Sequence, residues 1–299
     1  MKYLNAGALA LIDMSDRATQ FVKQDEKSRT GMYFGRGAND RQYWRVNLSG
    51  QQEVWVSFDV YVEGYGMDGW GYTYMKFGDN LPFLRAPAGN PFVWSVCTQN
   101  GSNVEVLYTI DKTMDIKGSI HNIEIHYKTG ENGRIDMWLD TKLFMSFRSP
   151  SAFAGNIGYF RYETTGNYPQ GGYFSSIIIQ DTRRIGLERF KMLTIDPATE
   201  QNMPQGSTTT YRLSGLSDST EFADITSVGA ILQATSRDAN ITEGTFSIEG
   251  ATLGTIDVSD SSGGAFEIAH AETNSLTGKP WTRDDIEGKT LSFTVNGAS

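Results

Sequence analysis

The 299-residue chain carries 26 Lys and Arg residues against 35 Asp and Glu residues, which gives a net charge of −9. This acidic balance argues against a nucleic-acid-binding protein, because phosphate binding needs clustered Lys and Arg. A single cysteine, Cys97, excludes an internal disulfide and a cysteine-based zinc site. No run of about 18 apolar residues is present, so no membrane insertion is predicted.

The first segment, residues 1–17, reads MKYLNAGALALIDMSDR and has a short apolar run that Asp13 closes. A signal peptide needs a longer apolar region and a recognisable cleavage site. The segment is therefore predicted to be a first β-strand with leading coil.

Alternation of apolar and polar residues predicts strands along most of the chain. The clearest strand, EVWVSFDVYVEG at residues 53–64, places its valines and Phe58 on one face and Trp55 and Asp59 on the other. Further strands are predicted within residues 103–110, 120–128, 134–147, 172–180, 223–237, 244–259 and 289–297. No long helical period is found, so the predicted fold class is all-β.

Charge and aromatic content divide the chain into two parts. Residues 1–185 hold 19 Lys and Arg against 19 Asp and Glu, whereas residues 186–299 hold 7 against 16. Domains differ in composition and meet in polar connectors. We therefore predict an N-terminal domain at residues 1–185 and a smaller, acidic C-terminal β-domain at residues 186–299, with a connector at residues 186–210. The acidity favours a role in solubility, with Ca²⁺ binding as the second hypothesis.

An aromatic segment, VEGYGMDGWGYTYMKFGDN at residues 62–80, supplies the candidate binding residues. These candidates are Tyr65, Asp68, Trp70, Tyr72 and Tyr74. Sugar rings stack on aromatic rings, and carboxylates bind their hydroxyls, so the segment is a candidate glycan site. Aromatics at alternate positions also describe a strand face buried against a neighbour, and the sequence leaves both interpretations open.

Residues 120–147 predict a three-stranded meander. Asp140 falls at its second turn, where a carboxylate caps the local backbone. Asp136 faces either solvent or a groove. His121 and His126 are five residues apart on one strand, so they point to opposite faces and cannot share a metal ion.

This meander, with GRIDMWLDTKLFMSF at residues 133–147, resembles the concanavalin A-like lectin/glucanase sandwich. The resemblance implies a jelly-roll fold. Glucanases of this superfamily carry two or three carboxylates on one strand, but here Glu124 is followed by His126, so no glycoside hydrolysis is expected. A lyase of the same fold would need a base and a charge neutraliser, for which His126, Tyr127, Lys128 and Arg134 are available by type.

Two further stretches resemble tailed-bacteriophage virion proteins. The first begins at Tyr173 and reads YFSSIIIQDTRRIGLERF, and the second, at residues 269–288, reads AHAETNSLTGKPWTRDDIEG. The matching residues of the second stretch are Asn274, Thr277, Gly278, Trp281, Thr282 and Ile286. Independently of the resemblance, Thr282 is predicted to cap a short helix that Trp281 packs onto the domain.

The resemblances imply a non-enzymatic structural component of a phage virion, such as a decoration, collar, tail or fibre-associated subunit assembled in the host cytoplasm. Its expected partners are other virion proteins, copies of itself and a host-surface glycan, and no cofactor is expected apart from the Ca²⁺ hypothesis. The alternatives are a carbohydrate-binding adhesin and, third, a polysaccharide hydrolase or lyase.

Overall fold

The computed structural model describes residues 2–5, 13–14, 32–34, 42–64, 71–87, 92–149, 151–166, 170–186, 193–196, 203–216, 224–234, 241–257 and 265–297. The chain divides into two compact units, Met1–Phe190 and Lys191–Ser299. Both units are built of β-sheets, so the predicted all-β fold class, a β-sandwich followed by a smaller β-unit, is confirmed. Within residues 1–17, where a first strand was predicted, the structure has short strands at Lys2–Asn5 and Asp13–Met14, and residues 6–12 lie outside the described residues.

The strands of the first unit are β1 (Lys2–Asn5), β2 (Asp13–Met14), β3 (Met32–Phe34), β4 (Gln42–Gln51), β5 (Glu53–Gly64), β6 (Gly71–Lys76), β7 (Phe83–Pro87), β8 (Ser95–Asn100), β9 (Asn103–Thr109), β10 (His121–Lys128), β11 (Arg134–Leu139), β12 (Lys142–Arg148), β13 (Ile157–Gly166) and β14 (Gln170–Gln180). Sheet A has the order β1-β14-β5-β10-β11-β12, with β3 also paired to β14. Sheet B has the order β2-β4-β13-β6-β7-β8-β9. All these pairings are antiparallel.

The two sheets enclose one apolar core, because alternate residues of their central strands point inward. The valines of β5 and Phe58 are at most 1% exposed, as the alternation predicted, and Trp44 of β4 packs edge-on against Phe58 and Phe160. Each fully buried side chain of this size contributes about 1.5–3 kcal/mol. Cys97 is buried, and this burial raises the pKa of its thiol.

The predicted meander is β10, β11 and β12. Asp140 and Thr141 form its two-residue turn with positive φ angles of 48° and 71°. Asp140 lies in the turn as predicted, but its carboxylate accepts the backbone N–H of Asn122 on β10 instead of capping the backbone of its own turn. In the preceding turn, a Cβ on Gly133 would lie 2.3 Å from the Cβ of Phe153, which leaves room for glycine only.

Strand β9 forms one edge of sheet B, and most of its side chains are exposed. Three large apolar side chains project from it: Val104, Val106 and Tyr108 are 37%, 47% and 41% exposed. The strand contains Glu105 but no Lys, Arg or Pro, which are the residues that usually protect a sheet edge from pairing with another chain.

The elements of the second unit are β15 (Thr194–Asp196), β16 (Thr208–Ser214), β17 (Val228–Ala234), β18 (Ile241–Ile248), β19 (Ala251–Asp257), β20 (Ala265–Ala271), β21 (Thr273–Asn274), β22 (Lys279–Pro280), the 3-10 helix Arg283–Asp285 and β23 (Thr290–Gly297). A five-stranded sheet has the order β15-β16-β23-β18-β19, and β17 pairs with β20. Strand β15 lies within the predicted connector, so part of that segment belongs to a sheet.

The closing motif of the second unit behaves as its turn chemistry predicted. The carboxylate of Asp285 accepts the backbone N–H and the hydroxyl of Thr282, which caps the short 3-10 helix. Trp281 is 3% exposed, packs into the core of this unit, and donates its indole N–H to the carbonyl of Ala271. The motif therefore has a structural role.

Candidate functional site

The outer faces of sheets A and B both carry polar side chains, and either face is a candidate site. On sheet A they come from β5, β10 and β11, opposite the inward-pointing apolar residues. On sheet B they come from β4, β13, β6 and β7. The two faces differ in whether these side chains are available to a ligand.

On sheet A, His126 is completely buried under Trp55. The two rings stack with centroids 3.8 Å apart and planes 4° from parallel. The histidine Nε2 lies 2.7 Å from a carboxylate oxygen of Glu53, while Nδ1 lies 3.0 Å from Nε of Arg134 and 3.4 Å from Oδ2 of Asp136. Both ring nitrogens are engaged within the protein, so His126 has no free nitrogen for a substrate.

Asp136 is also buried, with 5% of its surface exposed. Burial opposes its charged form, but hydrogen bonds with His126 and Ser146 and the charge of Arg134 outweigh this effect and hold the pKa of Asp136 below its ordinary value. The carboxylate is therefore a charged member of a closed network. A groove at Asp136, which the sequence left open, is not present.

Glu124 is held by the segment Asp181–Gly186, which we call the strap. One carboxylate oxygen accepts the backbone N–H groups of Ile185 and Gly186, and the other accepts Nε of Arg184 at 3.0 Å. The Arg184 guanidinium also lies over the ring of Trp138, 4.6 Å from its centroid. At 1% exposure, Glu124 cannot act as a nucleophile or acid toward a polysaccharide.

Of the four lyase residues suggested by type, Arg134 binds His126 directly and Lys128 shares the Glu53 carboxylate with it, but Tyr127 lies apart from them. Tyr127 points into the core, opposite to His126, and donates its hydroxyl to the carbonyl of Pro82. Burial raises the pKa of Tyr127 well above its ordinary value, which removes it as a base. His121, on the same side of the strand as Tyr127, is bound instead by Asp140 and Ser119.

The outer face of sheet B carries a row of three cations. Arg161 on β13 lies directly opposite Arg45 on β4 and directly opposite Lys76 on β6. Residues opposite one another in a sheet point to the same side, with Cβ atoms about 4.5–5.5 Å apart. Asp13 occupies the next position along this row, on β2. We call the outward-facing residues of this region the cation face: Tyr43, Arg45, Tyr72, Tyr74, Lys76, Arg85, Tyr159, Arg161 and Glu163.

Each cation of this face packs against an aromatic ring. Distances from the charged group to the ring centroid are 4.0 Å for Arg161 over Tyr43, 4.2 Å for Arg45 over Tyr159, 4.5 Å for Arg85 over Tyr72 and 5.1 Å for Lys76 over Tyr74. The rings hold the cations flat against the sheet, which leaves their N–H groups and the tyrosine hydroxyls as the main polar groups of the face. Glu163, which is 2% exposed, pairs with Arg161 at 3.0 Å.

A cavity of about 360 Å³ adjoins one end of the cation face. Its lining includes Lys76, Asp79, Asn80, Phe83, Gln99 and Tyr159. The hydroxyl of Tyr159 donates to Asp79 at 2.8 Å. Burial and the Asp79 charge together raise the pKa of Tyr159 well above its ordinary value, so this hydroxyl stays protonated near neutral pH.

The predicted site residues are only partly described. Tyr72 and Tyr74 lie half-buried on the cation face and outside the apolar core, so the alternative that buries them against a neighbour is wrong for these two. Tyr65, Asp68 and Trp70 lie outside the described residues. Their part in a binding site stays a prediction.

Sequence reasoning missed most of the cation face. Arg45, Arg161 and Arg85 lie on strands β4, β13 and β7, which were not predicted. A signal was present in QYWRVN and YFRYE, where tyrosine and arginine alternate with apolar residues. That signal places the two residue types on one face of each strand, but it cannot show that the strands are neighbours.

Among the described residues, no group of three or more His, Cys, Asp or Glu side chains is arranged to hold a metal ion. The Ca²⁺ hypothesis stays a prediction. In the same part, no helix is long and apolar enough to cross a membrane.

Neither a protein-family model nor the sequence of a curated protein matches the chain. Several solved structures are similar to it. The endo-beta-1,4-glucuronan lyase from the fungus Trichoderma reesei is 10% identical over 60% of this chain and 95% of its own, with a TM-score of 0.42. The carbohydrate recognition domain of Emp47p is 9% identical over 60% of this chain and 95% of its own, with a TM-score of 0.44.

A sialidase is 14% identical over 60% of this chain, with a TM-score of 0.39, but this chain spans only 18% of the sialidase's length. The sheets and core of the chain itself define an all-β protein whose first unit is a two-sheet sandwich.

Proposed function

We propose that the chain is a non-enzymatic glycan-binding protein and that it binds through the cation face. The observation that carries this proposal is the combination, on one side of sheet B, of tyrosine rings, hydrogen-bond donors and an adjoining polar cavity. Glycan sites typically combine aromatic surface with a few fixed polar groups. Tyr72 and Tyr74, two of the residues proposed from the sequence, lie in the middle of this arrangement.

Three features of the described residues support binding without catalysis. Burial raises the pKa of Tyr74, and burial with Asp79 raises that of Tyr159, so neither hydroxyl is prepared to accept a proton. Glu163 is buried and already paired with Arg161. A base poised near neutral pH, which polysaccharide lyases and hydrolases require, is missing from these groups.

The test is a binding panel of neutral and acidic polysaccharides, combined with assays for reducing ends and unsaturated products. We expect binding without turnover. Tyr72→Ala and Tyr74→Ala should weaken binding, whereas Tyr61→Ala, which removes a half-buried tyrosine from sheet A, should not. Turnover that any of these substitutions on the cation face abolishes would show that the protein is an enzyme. No binding across the panel would refute the proposal.

The structural role in a virion is the second candidate, supported by the sequence resemblance of the closing motif and by the exposed edge strand β9. A subunit of a particle needs surfaces that pair with copies of itself or with other subunits. The exposed apolar side chains of β9 and the unprotected sheet edge offer such a surface.

The partner that β9 fits best is a second copy of β9. In an antiparallel pair centred on Val106, Val104 meets Tyr108 and Glu105 meets Leu107, so apolar side chains meet and the two glutamates are not opposed. Antiparallel pairing across a two-fold axis would extend sheet B into the neighbouring subunit.

Sedimentation of the full chain tests this second role. We expect a dimer that Val106→Lys converts to a monomer. Leu276→Lys, at an exposed apolar residue outside β9, is the control and should leave the dimer unchanged. Val106→Cys should crosslink the dimer under mild oxidation, because facing residues of such a pair lie within disulfide reach. A monomer at all concentrations, without crosslinking, would refute pairing through β9.

A further inference from the structure

We infer that the ligand of the cation face is an anionic glycan whose sugars carry carboxylates, an inference that rests on the proposed glycan binding. The starting observation is the register of Arg45, Arg161 and Lys76, which places three cations side by side on adjacent strands. Like charges directly opposite one another in a sheet destabilise it. The three cations nevertheless lie side by side in a chain that has an overall excess of acidic residues.

The carboxylates near this row of cations neutralise only part of its positive charge. Glu163 is buried beside Arg161, and Asp79 accepts the hydroxyl of Tyr159 at the end of the face. Among the side chains that the structure describes, the four cations Arg45, Lys76, Arg85 and Arg161 outnumber these two carboxylates, although the whole chain has the opposite excess.

The cations are also positioned for carboxylates in particular. A guanidinium presents its N–H groups as a planar fork that matches two carboxylate oxygens. The guanidinium of Arg45 lies over Tyr159, whose ring fixes its plane, and its Nε is bound to the side-chain oxygen of the neighbouring Asn47 at 2.9 Å. The terminal N–H groups of Arg45 have no acceptor among the described residues, and they are the proposed contact to the ligand.

The direction of the row predicts how the glycan lies. Neighbouring strands are about 4.8 Å apart, so the three cations span about 10 Å across the strands. A linear polymer with one carboxylate on each sugar presents its charges at a comparable interval. The glycan would therefore cross β4, β13 and β6, with its next sugars over Tyr74 and the adjoining cavity.

The experiment compares matched polysaccharides that differ only in charge: β-glucan, mannan and galactan backbones, each in its neutral form and after oxidation of C6 to a carboxylate. Dextran sulfate and a single-stranded DNA oligonucleotide serve as polyanions of other chemistry. Affinity is measured by titration calorimetry at two salt concentrations, because exposed charge contacts weaken with salt.

We expect an oxidised polysaccharide to bind more tightly than its neutral parent. Arg45→Gln and Lys76→Gln should each lower the affinity for the oxidised form about tenfold. Lys142→Gln, which removes an exposed cation from β12 of sheet A, should leave affinity unchanged and controls for net charge. Arg45→Lys should recover only part of the affinity, since lysine lacks the planar fork. Thermal melting confirms that each variant is folded.

Four outcomes would overturn the inference. Equal affinity for neutral and oxidised forms, unaffected by Arg45→Gln, would leave the proposed glycan binding intact and refute its anionic class. Preference for dextran sulfate would mean that the face recognises a sulfate ester instead of a carboxylate. DNA binding with the same dependence on Arg45 would mean that the face recognises polyanions in general. Binding to none of these polysaccharides would refute both the inference and the proposed function.

Discussion

The two outer faces of the sandwich domain show how similar polar residues can serve different purposes. On sheet A, Glu124, His126 and Asp136 are at most 5% exposed and bind to the strap, to Trp55 and to one another. On sheet B, the arginines and tyrosines of the cation face, apart from the buried Tyr159, are half-buried and pack in pairs. A closed polar network stabilises one conformation, whereas an open row of donors can serve a ligand.

The largest effect is expected on sheet A. Glu124→Ala removes the acceptor of two backbone N–H groups and of Arg184, so the free energy of unfolding should fall by about 3 kcal/mol. Urea denaturation of the full chain measures this loss. The control is Glu105→Ala on the exposed edge strand β9, which should change stability by less than about 0.5 kcal/mol. Equal losses for Glu124→Ala and Glu105→Ala would mean that the strap contributes little to the stability of the domain.

Acid should weaken sheet A through Asp136. The folded state holds the pKa of Asp136 below the unfolded value of about 3.9, so its contribution is complete above that value and is lost as pH falls through the folded pKa. Each unit of this difference is worth about 1.4 kcal/mol. We expect Asp136→Asn to flatten the decline in thermal stability below about pH 4.

Glu53, whose pKa is also lowered because hydrogen bonds with Lys128 and His126 outweigh its burial, should leave part of that decline in place. Asp111→Asn, at an exposed position, provides the comparison. An acid decline as steep in Asp136→Asn as in the unmodified protein would contradict the assigned role of this carboxylate.

A smaller change is expected for the rings of sheet B. Tyr72 is half-buried and outside the core, so Tyr72→Ala should lower the free energy of unfolding by about 1 kcal/mol. Trp44→Ala, which empties a fully buried position, should cost about 3–5 kcal/mol and sets the scale. A loss for Tyr72→Ala as large as that for Trp44→Ala, seen by thermal melting, would mean that the ring serves the core.

The smallest effect concerns the cation row itself. Arg45→Gln removes one of two directly opposed cations, so stability should stay within about 0.5 kcal/mol or rise slightly. The rise should be greater at low ionic strength, where charges are less screened. A clear loss of stability at low salt would show that Arg45 stabilises the sheet and would weaken the case for a ligand.

The sequence predicted the faces of strands but not their neighbours. Alternation correctly placed the valines of β5 and Ile125 of β10 inward, because the side-chain period of two is local. The bulge at Ser176, with φ of 54°, reverses the alternation within β14 and has no local signal. The register of β4, β13 and β6 is likewise set by contacts between residues more than 80 positions apart.

Contacts between residues far apart in sequence also decide the difference between the two candidate sites. Glu124, His126 and Asp136 attracted attention as possible catalytic residues, yet Glu124 is bound by the strap and His126 is covered by Trp55, both from distant parts of the chain. Turn chemistry was more reliable. Thr282 caps its own turn as predicted, whereas Asp140 lies in its predicted turn but binds Asn122 and His121 of the neighbouring strand β10.

The pairing of β1 with β14 has a consequence for how the domain is made. Residues 2–5 lie beside residues 177–180, so this contact joins parts of the chain that leave the ribosome far apart in time. At about 5–20 residues per second, β1 waits on the order of ten seconds or more for its partner. Contacts this distant also slow folding after synthesis. During that interval the apolar face of β5, whose neighbours β10 and β14 are both still to come, is exposed to other nascent chains. The yield of soluble protein should therefore depend on translation speed and chaperones more than on final stability.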